Sequence, residues 1–256
     1  MVRRWCPFIL LLLACQPSSQ DAASAQIAPQ ASRVGSAGSA RSVSSVRAEG
    51  AKVDRPGFYL GRAIAPTMSH EGADWLTRPE REAEEQASRM LAALGVKPGD
   101  VVCDVGAGNG YHTLELARMV APGGKALAVD IQPEMLALLS ERAKAAKLRN
   151  VETILGQGVD PRLPRRGCDL VLLADVYHEL DDPAGMLRHL AEALSPRGTL
   201  ALLEFRAEDE AVPIKPEHKM SRAQMKRELE ANGFVEVRSF DELPWQHLVF
   251  YAPRSR

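Results

Sequence analysis

Residues 101–110 read Val-Val-Cys-Asp-Val-Gly-Ala-Gly-Asn-Gly, and this stretch decides the fold of the chain. Its first half is a short apolar run with β-branched bias, which predicts a buried strand, and a helical pattern follows it. Gly106, Gly108 and Gly110 lie between the two elements, where glycine lets the backbone turn sharply and approach a ligand. The N–H groups that open the following helix favour a polar or anionic ligand group. The stretch therefore predicts a strand–turn–helix unit that binds a nucleotide-type cofactor.

Asp130 strengthens this interpretation. It ends a second apolar run, residues 126–129, and lies twenty positions after Gly110. In a βαβ nucleotide site, a carboxylate at this position meets the ribose hydroxyls. A glycine-rich turn alone is a weak signal, because many α/β proteins use glycine in tight turns for structural reasons. The turn combined with the second strand and its terminal acid is much more specific.

Strands and helices alternate through the rest of the chain. Further strands are predicted at residues 151–155, 169–174 and 199–205, and helices at residues 79–94, 133–147, 183–194 and 221–232. This alternation predicts an α/β fold with a doubly wound, mostly parallel sheet of seven strands. The last two strands, residues 235–240 and 247–251, are only a few residues apart. Such a short connection predicts that the last strand is antiparallel.

The glycine spacing separates two classes of nucleotide-binding protein. Gly-x-Gly-x-Gly differs from the Gly-x-Gly-x-x-Gly of NAD-binding proteins, and Asp104 precedes the first glycine by two positions. In motif and element order, residues 79–252 resemble the class I S-adenosylmethionine-dependent methyltransferases. The resemblance implies a Rossmann-like methyltransferase domain over residues 79–256, with S-adenosylmethionine as its cofactor.

The resemblance also implies which residues hold the cofactor. Asp104 matches an acid near the methionyl end, the glycine turn passes beneath the cofactor, and Asp130 holds the ribose. In the loop after the third strand the family places an acid or amide near the adenine, which makes Gln157 and Asp160 candidates. The expected cofactor-binding residues are Asp104, Gly106, Ala107, Gly108, Asn109, Gly110, Asp130, Ile131, Asp160 and Asp175.

The loop after the fourth strand carries the strongest candidates for catalysis. Ligands of open α/β sheets bind at the carboxyl ends of strands, so Asp175, Tyr177, His178 and Glu179 are expected to face the cleft. His178 is the candidate general base because the unperturbed pKa of histidine lies near neutrality. The alternative is that His178 only forms a hydrogen bond within its own loop. Tyr177 and Glu204 complete the predicted catalytic set.

The methyl acceptor is expected between the loops after strands four and five. A solvated charge run explains the polar residues of the second loop equally well. Residues 56–78 precede the regular elements and are predicted to form a lid that closes over this opening and excludes water. The candidates on the acceptor side are Arg206, Lys215, His218 and Lys219, and those in the lid are Met68, His70 and Trp75.

The N-terminus predicts a bacterial lipoprotein. Residues 1–15 combine Arg3 and Arg4, a short apolar run and the lipobox Leu-Leu-Ala-Cys ending at Cys15. Seven apolar residues are too few to span a bilayer. Residues 16–55 contain few large apolar side chains and are predicted to form a disordered tether. The protein is therefore expected to be anchored to a membrane by a lipid on Cys15 and to face the periplasm. The alternative is that the start codon is wrongly assigned and that the protein is cytoplasmic.

Composition excludes several other functions. A net charge of −1 without an extended basic patch argues against nucleic acid as the main partner. Cys103 and Cys168 fall in apolar strands and are expected to be buried free thiols. The chain has no Cys-x-x-Cys or His-Glu-x-x-His motif, so the sequence predicts no metal site.

Three functions remain to be compared. The first is an enzyme that transfers a methyl group from S-adenosylmethionine to a small molecule. The second is a non-catalytic lipoprotein that binds the cofactor or a metabolite, because the methyl donor is made in the cytosol whereas a lipobox directs export. The third, an NAD(P)-dependent oxidoreductase, is disfavoured by the glycine spacing and by the absence of Tyr-x-x-x-Lys. The acceptor and the oligomeric state do not follow from the sequence.

Overall fold

A computed structural model describes residues 55–254 of the 256-residue chain. The predicted signal segment, residues 1–15, and all but the last residue of the predicted tether, residues 16–55, lie outside the described residues. Over residues 55–254, no helix is both long enough and apolar enough to cross a membrane.

A central sheet organises the described residues. Its strands are β3 (Val101–Val105), β4 (Lys125–Asp130), β5 (Val151–Leu155), β6 (Cys168–Ala174), β7 (Leu194–Arg206), β8 (Lys219–Met220), β9 (Phe234–Phe240) and β10 (Gln246–Pro253), whereas β1 (Phe58–Tyr59) and β2 (Arg62–Ala63) form a separate pair. The strand order is β5-β4-β3-β6-β7-β10-β9, and the two-residue β8 pairs with β7. The order reverses between β3 and β6, and β10 runs antiparallel to both of its neighbours. The doubly wound, mostly parallel sheet with an antiparallel last strand is thus confirmed.

The helices begin and end close to their predicted bounds, with one difference. The helix expected over residues 79–94 is two helices, separated at Gln86, which has a left-handed φ of 53°. The first buries Arg81 and Glu85, whereas the second buries an apolar face that includes Met90, so the two present different chemistry to the interior. The helices are α1 (Arg81–Glu85), α2 (Ala87–Leu94), α3 (Tyr111–Met119), α4 (Pro133–Ala145), α5 (Pro183–Ala193) and α6 (Arg222–Ala231).

Both faces of the sheet are buried. Val102 and Leu172 belong to one hydrophobic cluster, while their neighbours Cys103 and Leu173 belong to another. Side chains alternate between the two faces of a strand, so each strand contributes to both clusters. Burial of each large apolar side chain stabilises the fold by roughly 1.5 to 3 kcal/mol. The packed core therefore fixes the strand ends, which carry the site.

A disulfide joins Cys103 on β3 to Cys168 on β6. Both residues are fully buried, as expected, but the prediction that they are free thiols was wrong. The sequence does not show which strands are neighbours in the sheet. Because β3 and β6 pair directly, the two Cα atoms lie 6.0 Å apart, within the range that a disulfide spans.

Candidate active site

A cavity of about 520 Å³ opens at the carboxyl ends of the parallel strands. Its volume falls within the range of roughly 300 to 1,000 Å³ that is typical of small-molecule sites. Open α/β sheets bind ligands at this edge, beside the point where the strand order reverses. The residues in its wall that matter below are Met68, Trp75, Leu76, Arg81, Gly106, Gly108, Asp130, Ile131, Gln132, Gln157, Asp160, Asp175, Val176, His178, Glu179, Lys215 and His218.

The glycine turn after β3 exposes bare backbone to this cavity. Gly106 and Gly108 have positive φ values of 77° and 53°. A Cβ atom on Gly106 would lie 2.4 Å from a methyl carbon of Val176, and one on Gly108 would lie 2.8 Å from a methyl carbon of Leu76. A side chain at either position would be strained and would displace its neighbour, and because both glycines contribute to the cavity wall, a ligand can approach the main chain here.

The Asp130 carboxylate lies at the end of β4 in a fixed position. Its Oδ2 accepts a hydrogen bond of 2.9 Å from Gly108 N, and its Oδ1 accepts one of 2.9 Å from Gln132 N. Burial raises the pKa of Asp130, while the two backbone donors oppose that change. The carboxylate is thus held against the glycine turn, where it can accept hydrogen bonds from ribose hydroxyls.

Four of the predicted cofactor residues lie behind the cavity wall. Ala107, Asn109 and Gly110 are buried in the turn, and Asn109 Nδ2 donates to Ala73 O at 2.8 Å. Asp104 is also buried and accepts a hydrogen bond of 2.6 Å from Thr113 Oγ1. Burial raises the pKa of Asp104 to about 6. These residues support the turn, whereas Gly106, Gly108, Asp130, Ile131, Asp160 and Asp175 contribute to the cavity wall.

A half-buried acid, Asp175, and a buried guanidinium, that of Arg81, lie in another part of the wall. Asp175 Oδ2 accepts a hydrogen bond of 2.7 Å from Gln246 Nε2, and its buried Oδ1 has no partner among the described residues. Burial raises the pKa of Asp175 well above its ordinary range. Arg81 is 3% exposed and donates to Glu85 Oε2 at 2.8 Å. Sequence analysis missed Arg81 because an Arg–Glu pair four residues apart is typical of a solvated helix surface.

His178 and Glu204 form a buried pair on the acceptor side. His178 Nδ1 lies 2.6 Å from Glu204 Oε2, so the ring donates this proton and leaves Nε2 as the acceptor. Burial lowers the pKa of His178, but the charge and hydrogen bond of Glu204 outweigh burial and raise it above the ordinary value. Glu204 is fully buried and outside the cavity wall, so it orients His178 and does not itself reach the acceptor.

Two further polar side chains meet His178 at this end. His178 Nε2 lies 3.1 Å from His218 Nδ1, and Glu179 Oε1 lies 3.9 Å from the former and 3.8 Å from the latter. We call His178, Glu179 and His218 the acceptor-side cluster. Burial raises the pKa of Glu179 to about 7, and burial together with His178 lowers the pKa of His218.

The structure places three other acceptor-side candidates elsewhere. Tyr177 was expected to face the cleft, but it is fully buried in the hydrophobic core, because the short 3₁₀ turn over Tyr177–Glu179 points its side chain away from the cavity. Arg206 Nη2 donates to Leu243 O at 3.1 Å, and Lys219 Nζ donates to Asp209 O at 3.0 Å. Neither side chain contributes to the cavity wall.

The segment predicted to form a lid covers part of the cavity. Met68 and Trp75 contribute to its wall, and His70 does not. Gln132 fastens the segment, because its Oε1 accepts a hydrogen bond of 2.8 Å from His70 N and its Nε2 donates to Met68 O at 2.9 Å. Whether the segment opens and closes stays a prediction.

Solved structures share this architecture. The chain superposes with a TM-score of 0.68 on a SAM-dependent methyltransferase from Aquifex aeolicus, with 27% identity over 72% of this chain and 98% of that one. A possible exported protein from Bordetella parapertussis has a TM-score of 0.53 and 21% identity, and it covers 66% of this chain and 67% of that one. The second likeness shows the fold alone.

Curated relatives match part of the sequence. Protein-L-isoaspartate O-methyltransferase from Aeropyrum pernix is 34% identical over 118 residues, which are 44% of this chain and 42% of the relative. Demethylmenaquinone methyltransferase from Tropheryma whipplei is 34% identical over 112 residues, which are 44% of each protein. The chain thus spans less than half the length of these two relatives.

A family model described as a methyltransferase domain matches residues 96–247, from the turn before β3 into β10. The match covers more than half of the chain and includes the glycine turn, Asp130 and the loop that carries His178. It confirms the resemblance that the glycine spacing and the element order indicated. The chain belongs to the methyltransferase-domain family, and residues 96–247 form a domain of the S-adenosylmethionine-dependent type.

Proposed function

We propose that this protein transfers the methyl group of S-adenosylmethionine to a nucleophilic atom of a small molecule. The observation that carries the proposal is a single cavity with two chemically different ends. One end consists of the glycine turn and Asp130, and the other consists of the acceptor-side cluster with Glu204 behind it.

The residues at the first end fit the cofactor. Asp130 is fixed beside a turn that a Cβ atom would block, which suits ribose hydroxyls lying against the main chain. Asp160 is assigned to the adenine, with Gln157 beside it. Asp175, whose Oδ1 has no partner among residues 55–254, offers a hydrogen-bonding group to the methionyl end, and the guanidinium of Arg81 offers a positive charge. When bound, S-adenosylmethionine supplies an electrophilic sulfonium methyl group.

His178 acts on the acceptor at the second end. Glu204 holds the Nδ1 proton, so Nε2 is the atom that accepts a proton from an acceptor hydroxyl or thiol. General-base catalysis of this kind contributes about 10² to 10⁴-fold, whereas alignment of two bound reactants contributes roughly 7 to 11 kcal/mol. An acceptor that is already anionic needs only the alignment.

We also propose that the protein is a lipoprotein, anchored through Cys15 and facing the periplasm. The lipobox supports this location, and so does the disulfide between Cys103 and Cys168, because disulfides persist mainly in oxidising compartments. The alternative function, a cofactor- or metabolite-binding lipoprotein without catalysis, is favoured by the same two observations, because S-adenosylmethionine is made in the cytosol. The cytoplasmic alternative would remove that supply problem.

Cofactor binding and methyl transfer are tested in sequence. S-adenosylmethionine and its demethylated product should raise the melting temperature of the purified full chain, and NAD should not. A methyl-labelled cofactor is then incubated with pooled metabolites, and Asp130→Ala serves as the control for binding. Stabilisation without transfer would favour the binding lipoprotein, and failure of both would refute the proposed function.

Location is tested by Cys15→Ser. Wild type should incorporate labelled fatty acid and fractionate with membranes, and the variant should lose the label. Uncleaved wild-type protein in the cytosol would refute the lipoprotein proposal.

A further inference from the structure

Three potential metal ligands converge at the acceptor end of the cavity. They are His178 Nε2, Glu179 Oε1 and His218 Nδ1, and they all lie within 4.8 Å of one another. The first two residues follow β6, and the third lies in the loop after β7, so the fold and not the local sequence brings them together. We propose that the acceptor-side cluster binds one divalent transition-metal ion of the zinc class.

The spacing of the three atoms suits such an ion. Their separations are 3.1, 3.9 and 3.8 Å. The point equidistant from all three, the circumcentre of that triangle, lies about 2.1 Å from each, close to the roughly 2.0 to 2.2 Å of zinc–nitrogen and zinc–oxygen bonds. In a tetrahedral site with such bonds, ligand atoms are roughly 3.3 to 3.5 Å apart. Shifts of a few tenths of an ångström would therefore complete the site.

The ligand chemistry selects the class of metal. Two imidazole nitrogens with one carboxylate are typical of zinc and ferrous sites, whereas magnesium and calcium prefer oxygen ligands throughout. Three protein ligands leave at least one coordination position open. Because His178, Glu179 and His218 all contribute to the cavity wall, we expect the open position to face the cavity.

Glu204 provides a second, independent observation. It accepts the Nδ1 proton of His178 at 2.6 Å, so the lone pair of Nε2 becomes available to a metal once His218 Nδ1, 3.1 Å away, gives up its proton. A carboxylate behind a ligating histidine is the usual support of a metal site, because it fixes both the tautomer and the ring orientation. Glu204 is fully buried, so its own position is fixed by packing.

The local charge also favours a cation. Within residues 55–254, the ion pairs of Glu179 and Glu204 involve only histidines. The nearby guanidinium of Arg62 is paired at 2.8 Å with a different acid, Glu228. Buried carboxylates are costly without a compensating positive charge, and a divalent ion would supply it.

This inference deepens the proposed function and rests on it for the role of the metal, though not for metal binding. A hydroxyl or thiol of the acceptor would occupy the open position, and the ion would lower its pKa so that its proton leaves to solvent. The methyl–sulfur bond of the cofactor then breaks as the methyl bond to the acceptor oxygen or sulfur forms. In the metal-bound protein His178 would serve as a ligand, and in the metal-free protein it remains the base; the bound metal would restrict the acceptor to groups that bind a transition metal.

Metal binding is tested without cofactor or acceptor. Purified full-length protein is treated with a chelator and titrated with zinc chloride in a calorimeter, and Co²⁺ is added separately to record the absorption bands of a low-coordinate site. His218→Ala and Glu179→Gln remove one ligand each, and the half-exposed position of His218 makes an effect on folding small. His189→Ala is the matched control, because His189 Nδ1 lies 3.9 Å from an Asp160 carboxylate oxygen outside the cluster.

We expect one zinc ion per chain in wild type and in His189→Ala, and at least ~10-fold weaker binding in His218→Ala, Glu179→Gln and the orienting variant Glu204→Gln. Equal zinc affinity in wild type and His218→Ala would overturn the inference. So would an absence of zinc binding, or binding of Mg²⁺ but not of zinc. Methyl transfer is assayed separately with and without zinc. Transfer by a protein that binds no zinc would overturn the metal site and leave the proposed function intact.

Discussion

The two ends of the cavity are built in different ways. The part of the cofactor end formed by the glycine turn and Asp130 comes from one strand–turn–helix unit and the next strand end, and it presents backbone together with a carboxylate that backbone donors fix. The acceptor end comes from two loops forty residues apart and presents ionisable side chains that contact one another. Local backbone geometry therefore creates the first end, and long-range packing creates the second.

The charged groups at the two ends are stabilised in correspondingly different ways, by local backbone at the cofactor end and by side chains at the acceptor end. Backbone N–H groups at 2.9 Å stabilise the charge of Asp130, and such donors are present in any chain that makes this turn. Burial raises the pKa of Glu179 to about 7, and its ion-pair partners are the adjacent His178 and the distant His218. We infer that the cofactor end tolerates changes elsewhere in the molecule, whereas the acceptor end is sensitive to them.

The disulfide should have the largest effect, because it joins β3, which leads to the cofactor end, to β6, which leads to the acceptor end. Replacing Cys103 and Cys168 together by alanine should lower the free energy of unfolding by about 4 kcal/mol, from the entropy of closing a loop of 65 residues. Denaturant unfolding measures this loss, and wild-type protein unfolded with and without a reductant is the control for loss of the covalent bond alone. An unchanged midpoint would mean that the two strands are held by packing alone.

The next largest effect should come from the acceptor end. His178→Ala should lower turnover by ~10² to 10⁴-fold while the cofactor dissociation constant stays nearly constant, because the ring acts on the acceptor. Steady-state kinetics and calorimetry separate the two quantities, and Glu204→Gln, which keeps the imidazole but removes the charge behind it, should lose less. Turnover within a few-fold of wild type would show that His178 takes no part in the reaction and that alignment of cofactor and acceptor accounts for the rate enhancement.

The cofactor end should respond more modestly. Asp130→Ala should weaken S-adenosylmethionine binding by roughly 1.5 to 3 kcal/mol, the contribution of a charge-assisted hydrogen bond, without loss of the fold. Calorimetric titration measures the affinity, and circular dichroism checks the fold. The same affinity in Asp130→Ala and wild type would exclude this carboxylate from the ribose site.

The smallest effect is a displacement of the pH profile. Because Glu204 raises the pKa of His178, the base is neutral only above a pH higher than that of an ordinary histidine, and kcat/KM should rise with pH through that raised pKa. Glu204→Gln removes the charge and should move this limb to lower pH. The profiles are recorded on metal-free protein, and coincident profiles for the two proteins would contradict the assigned electrostatics.

Local signals predicted much of the fold and half of the site. The β-branched run before Gly106, the glycine turn and the acid at Asp130 act within a few residues of one another, so their meaning depends little on the rest of the chain. The short connection before the last strand also predicted its antiparallel direction, which the pairing of β10 with β7 and β9 confirms. In these cases turn chemistry and periodicity are sufficient because both act over short distances.

Only the tertiary structure decided the remaining features. The disulfide needs β3 beside β6, and the acceptor-side cluster needs His218 beside His178, from which it is separated by 40 residues. Arg81, on the short helix that ends before Gln86, contributes to the cavity wall, and Tyr177 turns into the core although its neighbour His178 does not. Such juxtapositions depend on which surfaces pack together, and the free energy of that packing is shared among residues far apart in sequence. The sequence therefore determines these long-range contacts, although no local pattern of residues indicates them.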